Sequence, residues 1–311
     1  MREANRLHHA LLLKGPIGIG KATLAFHLSW NMLMKNTEFL IPDVSSSMWT
    51  FIAKGLHPDF LYISRAYDMK NRNFSDFILV EDIRRISKFL HHTSSNDYGW
   101  RIVIIDSADD MNRHAAHALL KILEEPPPRT LFLLISHIPG RLFPTLVSRC
   151  QSIVFKSLKP TEIDQGLASL SERFRFDYSQ ISFDDLIKFS EGSLARAIFL
   201  ISAGFEIIEC VNAIFASPVF AIDLIHRLIG MLNFHDVVIR FDFFLDYLID
   251  FFAKSAFDAV FSGSLNQARK LSSFWIEVEK DISNCRIYNL DKNQFVIILM
   301  EKLYVFLRKL R

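Results

Sequence analysis

A phosphate-binding loop is the first feature of this sequence that could do chemistry. Gly15, Gly18 and Gly20 precede Lys21 with the spacing GxxxxGK, between a short apolar run and a stretch with helical periodicity. Glycines let backbone N–H groups turn toward phosphates, and a lysine at the start of the helix reaches the terminal phosphates. The pattern predicts a strand, a loop and a helix that bind nucleotide, and an incidental glycine turn is the alternative.

The residues expected to hold magnesium depart from this pattern. Ala22 stands where a Ser or Thr hydroxyl is needed, and Thr23 comes one position late. One residue is about 100° of helix rotation, so we expect Thr23 to point away from the phosphates. Asp106 ends the β-branched run Arg101–Asp106, where a carboxylate could accept from magnesium-bound water. A strand-end or helix-capping aspartate is the alternative for Asp106.

A second buried strand is predicted to bring polar groups to the same edge. Leu131–Ile135 is uniformly apolar and is followed by Ser136 and His137. If this strand runs parallel to the one before Asp106, all three side chains lie at the edge where ligands gather. His114 and His117 are spaced like a metal pair, but no third ligand is in view, so we expect no metal site.

Arg149 lies in the triplet Ser148–Cys150, after a short amphipathic turn. Three roles are open for this arginine. It could be a surface charge, a partner in an ion pair, or a finger that reaches the nucleotide of a neighbouring subunit. A guanidinium supplied in trans is worth about 10³ to 10⁵ in phosphoryl-transfer rate.

The elements that must position these residues form an α/β domain followed by helices. Strand and helix patterns alternate up to residue 156, whereas helical patterns dominate beyond Pro160. Within Val237–Lys254 the charges recur every four residues and nearly everything else is apolar. Such a helix must be buried in its own domain or against other subunits.

Composition excludes several classes of protein. The 311 residues are 50% hydrophobic with a net charge of +2, so the chain is neither disordered nor basic enough to bind nucleic acid by charge alone. Its three cysteines lie far apart without CxxC spacing, which argues against disulfides and cysteine-bound zinc. No leader pattern and no uncharged run of about 18 residues is present, so we expect a cytoplasmic protein without membrane contact.

The loop, Asp106, the run Ala118–Pro127 (ALLKILEEPP) and the SRC triplet together resemble the clamp-loader branch of the AAA+ proteins. Within that branch the chain is most similar to the delta-prime family of bacterial DNA polymerase III. Gly55–Asp59 and Asp82–Arg84 also fit that pattern, and the similarity covers about residues 7 to 200.

The resemblance implies an AAA+ P-loop domain with a parallel sheet at 1–156, an all-α lid at 157–205 and an all-α collar at 206–311. It implies a polymerase holoenzyme subunit that works with gamma or tau and delta subunits to load a sliding clamp on primed DNA. Arg149 becomes the finger that acts on a neighbour's ATP. Arg196 matches a second sensor arginine of the lid, with a solvated helix arginine as the alternative.

The resemblance also implies that this subunit hydrolyses ATP weakly or not at all. Hydrolysing members carry Glu after the strand-end aspartate, whereas this chain has Ser107. Relatives with zinc have four cysteines that are missing here, so zinc is not expected. The degenerate nucleotide site comprises Gly15, Gly18, Gly20, Lys21, Thr23, Asp106, Ser136 and Arg196. No cofactor is required, although weak binding of ATP or ADP with Mg²⁺ stays open.

Two alternatives remain at this point. Because Gly20 and Lys21 are kept, the chain could be an active ATPase similar to the gamma or tau subunits. A small-molecule kinase would explain the phosphate-binding loop, but it leaves the LEEPP and SRC segments without a role.

Overall fold

The computed structural model describes residues 7–34, 41–68, 73–75, 77–91, 99–179, 181–233, 237–288 and 290–310. The chain divides into two compact units, Met1–Ile198 and Phe199–Arg311. The expectation that no leader precedes the first strand concerned residues 1–6, which lie outside the described residues.

A parallel sheet is the centre of the first unit. In the described part of this unit it has five strands, in the order β2–β5–β6–β1–β7. These are β1 (Ala10–Lys14), β2 (Phe60–Ile63), β5 (Arg101–Asp106), β6 (Thr130–Ser136) and β7 (Gln151–Val154). Two short strands, β3 (Tyr67–Asp68) and β4 (Asn73–Phe74), pair antiparallel beside it.

Helices connect these strands and follow the last of them. They are α1 (Lys21–Leu33), α2 (Ser47–Ala53), α3 (Val80–His91), α4 (Arg113–Glu124), α5 (Pro144–Val147), α6 (Pro160–Phe174), α7 (Phe183–Ser190) and α8 (Leu194–Phe199). Short 3₁₀ turns lie at Ala108–Asp110 and Pro139–Arg141. Asn112 caps α4, since its Oδ1 accepts from the backbone N–H of Ala115 at 2.8 Å.

The three central strands are buried on both faces, which explains their uninterrupted apolar sequences. Side chains alternate between the two faces of the sheet. Those on one face, such as Leu12, Val103 and Phe132, pack into one apolar cluster. Those on the opposite face, such as Leu11 and Ile104, pack into a second apolar cluster. The carboxyl ends of β1, β5 and β6 are therefore held in register by packing from both sides.

The second unit consists of helices joined by short loops in the residues that the structure describes. A π-helical segment (Leu200–Gly204) leads into α9 (Phe205–Ala216), α10 (Ile222–Leu232), α11 (Val237–Phe261), α12 (Leu265–Ile287) and α13 (Lys292–Leu310). In α11 the charged residues Asp246, Asp250 and Lys254 are exposed, whereas Phe244, Leu248 and Phe252 are buried. This stripe agrees with core packing as the role of the apolar residues of α11.

One stretch of the described chain is long and apolar enough to cross a membrane. It runs from Leu194 to Ala216, and half of its most apolar window is buried within the protein. The core helix of a soluble protein passes the same test of length and composition, so the stretch is weak evidence for membrane insertion.

The predicted α/β domain with a parallel sheet and the helical C-terminal region are confirmed. The division between the units falls after Ile198, so the first unit includes most of the segment expected as a separate lid. Four short strands were not predicted from the sequence, and two of them, β3 and β4, have only two residues each. β2 follows a turn and has only four residues, and the edge strand β7 is exposed along its length and lacks an apolar pattern.

Burial of the central strand β6 makes a direct prediction for stability. Phe132 is fully buried, so Phe132→Ala should lower the free energy of unfolding by about 3–5 kcal/mol through lost burial and a cavity. Phe77→Ala is the control, because that ring is 53% exposed. Urea denaturation of both variants measures the difference, and equal losses would contradict the assignment of Phe132 to the core.

Candidate functional site

The glycine-rich loop needs its glycines for backbone conformation and for close packing. Gly18 and Gly20 have φ angles of 77° and 97°, which only glycine adopts readily. A Cβ at Gly18 would lie 2.3 Å from Ser193 Oγ, and the Gly18 carbonyl accepts from the N–H of Ala195 at 3.0 Å. At Gly15 a Cβ would lie 2.5 Å from the carbonyl oxygen of Phe155. The loop is thus closed against the start of α8 and the end of β7.

Lys21 begins α1 and turns its ammonium group back into the loop. The side chain is buried, and its Nζ donates to the carbonyl oxygens of Gly15 at 2.7 Å and Pro16 at 2.5 Å. Burial lowers the pKa of Lys21 to about 8, although the carboxylates of Asp106 and Asp109 oppose this shift. This cation is held where a phosphate bound by the loop would meet it.

Asp106 lies at the carboxyl end of β5, as predicted, and its carboxylate already has neighbours. The hydroxyl of Tyr62 donates to Asp106 Oδ2 at 3.1 Å, and His137 Nε2 lies 3.8 Å from Oδ1. Burial and the adjacent Asp106 charge raise the pKa of Tyr62 to about 12, so its hydroxyl stays a donor. Part of the acceptor capacity that a metal-bound water would use is therefore taken.

A second carboxylate, Asp109, ties the ends of β5 and β6 together. Its oxygens accept from Ser136 Oγ at 2.8 Å, from the N–H of His137 at 2.5 Å and from the N–H of Ile138 at 3.2 Å. Ser107 Oγ donates to Asp109 Oδ2 at 2.9 Å. Ser136 and Ser107, both considered from the sequence for the nucleotide chemistry, thus hydrogen bond to a structural carboxylate.

A cavity of about 810 Å³ adjoins the loop. The residues that line it come from the loop, α1, the strand edge, α6 and α8, and include Gly18, Gly20, Lys21, Thr23, His27, Asp106, Leu170, Leu194 and Ile198. Thr23, which was expected to point away from the phosphates, is among the residues that line this cavity. The opening combines a cation and backbone turns at one end with apolar side chains at the other.

The cavity suits a nucleotide better than it suits a metal. The loop and Lys21 match the needs of phosphate oxygens, and the apolar wall matches a base. For magnesium, Ala22 offers no oxygen and Asp106 is partly engaged. Among the described residues, no group of three or more His, Cys, Asp or Glu side chains is arranged to hold a metal ion.

Arg196 lies on α8, next to Ala195, whose N–H donates to the carbonyl oxygen of Gly18. Its Nη1 is 3.1 Å from Glu191 Oε2, so the guanidinium forms an ion pair at the start of α8. The side chain is 22% exposed and does not line the cavity. The structure does not bring Arg196 together with Lys21 in that cavity.

Arg149 follows α5 and lies at the surface, and the cavity lining does not include it. Its Nη2 contacts Glu124 Oε1 at 2.5 Å, and its Nη1 donates to the carbonyl oxygen of Thr145 at 3.0 Å. The ion-pair role considered for Arg149 is therefore present within the chain. The neighbouring Cys150 packs against the core, and burial raises the pKa of its thiol to about 11.

Sequence reasoning missed Asp109, Tyr62 and Glu124 as members of these sites. Two consecutive aspartates follow β5 in the run Asp106–Asp110, and that acidic turn was the available signal for Asp109. Tyr62 contacts Asp106, 44 positions away in the sequence, and Glu124 contacts Arg149, 25 positions away. Local sequence patterns do not reveal contacts of this range.

The central position of Asp109 makes a testable prediction. Asp109→Ala leaves the Ser136 hydroxyl and two backbone N–H groups without their acceptor, so it should cost about 2–3 kcal/mol of stability. The matched change Asp110→Ala removes a part-exposed ion pair with Arg65 and should cost less than about 1 kcal/mol. Chemical denaturation compares the two, and equal effects would show that Asp109 does not fix the sheet edge.

Comparison with known proteins agrees with this architecture. Residues 1–159 match the family described as DNA polymerase III, delta subunit. The DNA polymerase III subunit delta' of Pseudomonas aeruginosa is 38% identical over 142 residues, which are 46% of this chain and 41% of that protein. The matched stretch therefore spans less than half of this relative.

Two further similarities extend over more of the chain. The DNA polymerase III subunit tau/gamma of Haemophilus influenzae is 29% identical over 196 residues, which are 63% of this chain and 27% of that protein. A crystal structure of a DNA polymerase III gamma subunit-related protein from Thermotoga maritima aligns with a TM-score of 0.51 at 17% identity. It covers 98% of this chain and 95% of its own, and so shows a shared fold.

The matched family spans the phosphate-binding loop, Asp106, the LEEPP segment and the SRC triplet, which are the features that the geometry gathers around the sheet edge and the surface arginine. The chain belongs to the DNA polymerase III delta subunit family and is similar to the delta' subunits of that polymerase.

Proposed function

We propose that this protein is a non-hydrolysing member of the clamp loader and that it supplies Arg149 to the ATP of a neighbouring gamma or tau subunit. In this role it acts in the cytoplasm with gamma or tau and delta subunits, and through the complex it helps to place a sliding clamp on primed DNA. The observation that carries the proposal is a surface arginine in a chain whose own site lacks the groups for hydrolysis.

The loss of hydrolysis follows from three positions. Ala22 has no hydroxyl for magnesium, Ser107 is too weak a base to activate water, and its hydroxyl is hydrogen bonded to Asp109. Lys21 and the glycine-rich loop remain, so the chain keeps an affinity for the phosphates of ATP or ADP. Nucleotide bound in this way would stabilise the loop and α8 without being turned over.

The contribution in trans rests on exposure and charge. The Arg149 side chain is 37% exposed, and a guanidinium group is a permanent cation in proteins. A neighbour's phosphates develop negative charge in the transition state, and a guanidinium there stabilises it. A surface site is required, since an arginine buried in its own chain could not reach another subunit.

A catalytic contribution of Arg149 has a direct test in the reconstituted complex. Arg149→Ala should slow ATP turnover at the adjoining site by about 10³-fold, because a finger in trans supplies at least this factor. Arg113→Ala, at an exposed arginine of α4, is the control and should leave turnover unchanged. Unchanged turnover in the Arg149 variant would exclude the finger role while leaving the family assignment intact.

An active ATPase similar to gamma or tau is the second candidate, favoured by the retained Lys21 and the tau/gamma similarity. The isolated chain with magnesium-ATP distinguishes the two. We expect no turnover above that of Lys21→Ala, whereas turnover that this variant abolishes would establish the motor.

The lowered pKa of Lys21 gives nucleotide binding a pH dependence. Below pH 8 the ammonium is charged and attracts phosphate, whereas above pH 8 it loses its proton. The affinity for metal-free ADP should therefore fall by up to about tenfold between pH 7 and pH 9, with proton uptake on binding. Calorimetric titration measures both effects. Lys21→Arg stays protonated and should show neither, so an equal decline in that variant would contradict this assignment.

A further inference from the structure

The guanidinium of Arg149 is held by two acceptors of its own chain. The carbonyl oxygen of Thr145 accepts from Nη1 at 3.0 Å, within the same short segment. The second acceptor, Glu124 Oε1, is 2.5 Å from Nη2 and comes from the end of α4, 25 residues earlier. Both side chains of this ion pair are partly exposed, at 37% for Arg149 and 49% for Glu124.

The position of Glu124 is set by the buried end of its helix. The preceding residue, Leu123, is 2% exposed in the core, and its carbonyl oxygen is 3.1 Å from His9 Nε2. Glu124 is the last residue of α4, and Pro126 follows two positions later. This anchoring holds the carboxylate beside Arg149 even though its tip is exposed.

A carboxylate at a helix C-terminus is electrostatically unfavourable, because the last carbonyl groups carry partial negative charge. Arg149 compensates this charge at Glu124. The adjacent Glu125 has no ion-pair partner among the described residues. Of these two neighbouring glutamates, Glu124 is therefore the one that pairs with Arg149.

A carboxylate and a phosphate bind a guanidinium by the same charge-assisted hydrogen bonds. When Arg149 meets a neighbour's nucleotide, the Glu124 carboxylate both occupies an Nη2 donor and repels the phosphates. We propose that Glu124 is a positioning residue that holds Arg149 in the free subunit and is displaced from it by the phosphates of the neighbouring nucleotide. This inference rests on the proposed trans role of Arg149.

The energetic cost of opening this pair falls on a particular step. In the assembled complex, Arg149 leaves Glu124 when ATP binds to the neighbouring subunit, and this step precedes chemistry. An interaction lost before the transition state changes KM and leaves kcat unaltered. Exposed ion pairs are weak, so the expected change is about two- to fivefold.

The test uses steady-state ATPase kinetics of the reconstituted complex with Glu124→Gln, which keeps the shape and removes the charge. We expect the KM for ATP to fall by about two- to fivefold and kcat to stay within about twofold. The advantage over wild type should shrink at high salt, because the exposed pair is screened. Glu125→Gln is the matched control and should change neither constant.

A double-mutant cycle links the effect to Arg149. In an Arg149→Ala background, Glu124→Gln should leave KM unchanged, because no guanidinium remains to be released. A raised KM, a lowered kcat, an unchanged KM, or an equal effect of Glu125→Gln would each overturn the displacement model. Turnover that is insensitive to Arg149→Ala overturns the proposed function itself, so the two failures are distinguishable.

Discussion

The carboxylate of Asp109 holds the working edge of this protein together. Two strands of a parallel sheet end side by side, and their terminal N–H and hydroxyl groups would be left unpaired without a shared acceptor. Asp109 accepts from the end of β6 and from the turn after β5. Asp106, and the glycine-rich loop beside β6, are positioned by the edge that this contact closes.

The polar contacts at this edge support the proposed loss of hydrolysis. Hydrolysis of a nucleotide needs a base and a held metal, and the polar groups nearest to Asp106 are already engaged in structural hydrogen bonds. The phosphate-binding half of the site has kept its glycines and its lysine. In the proposed role, nucleotide binding and turnover would depend on different elements of the sheet edge.

Arg149 contacts another part of the first unit, the end of α4. Neither Arg149 nor Glu124 lines the cavity beside the glycine-rich loop. However, α4 and the central strand β6 pack into the same apolar cluster. A subunit built in this way presents a cation outward from a rigid support. Its surface role would then be independent of whether its own loop holds nucleotide.

Sequence patterns predicted the central strands, α1, α4 and the helical second unit, because each has a continuous apolar run or a clear helical period. They also placed Lys21 and Asp106, since a loop motif and a strand end are local features. They failed for β7, which is short and exposed, and for Tyr62 and Glu124, whose partners are distant in sequence.

Cys150, directly after the surface arginine, is half-buried, and burial raises the pKa of its thiol to about 11. Alkylating agents and peroxide react with thiolates, and at neutral pH this residue holds almost none. The sulfur therefore contributes packing and little reactivity. A cysteine engineered on an exposed helix could therefore carry a fluorescent label without replacement of Cys150, because the label would react slowly with the Cys150 thiol.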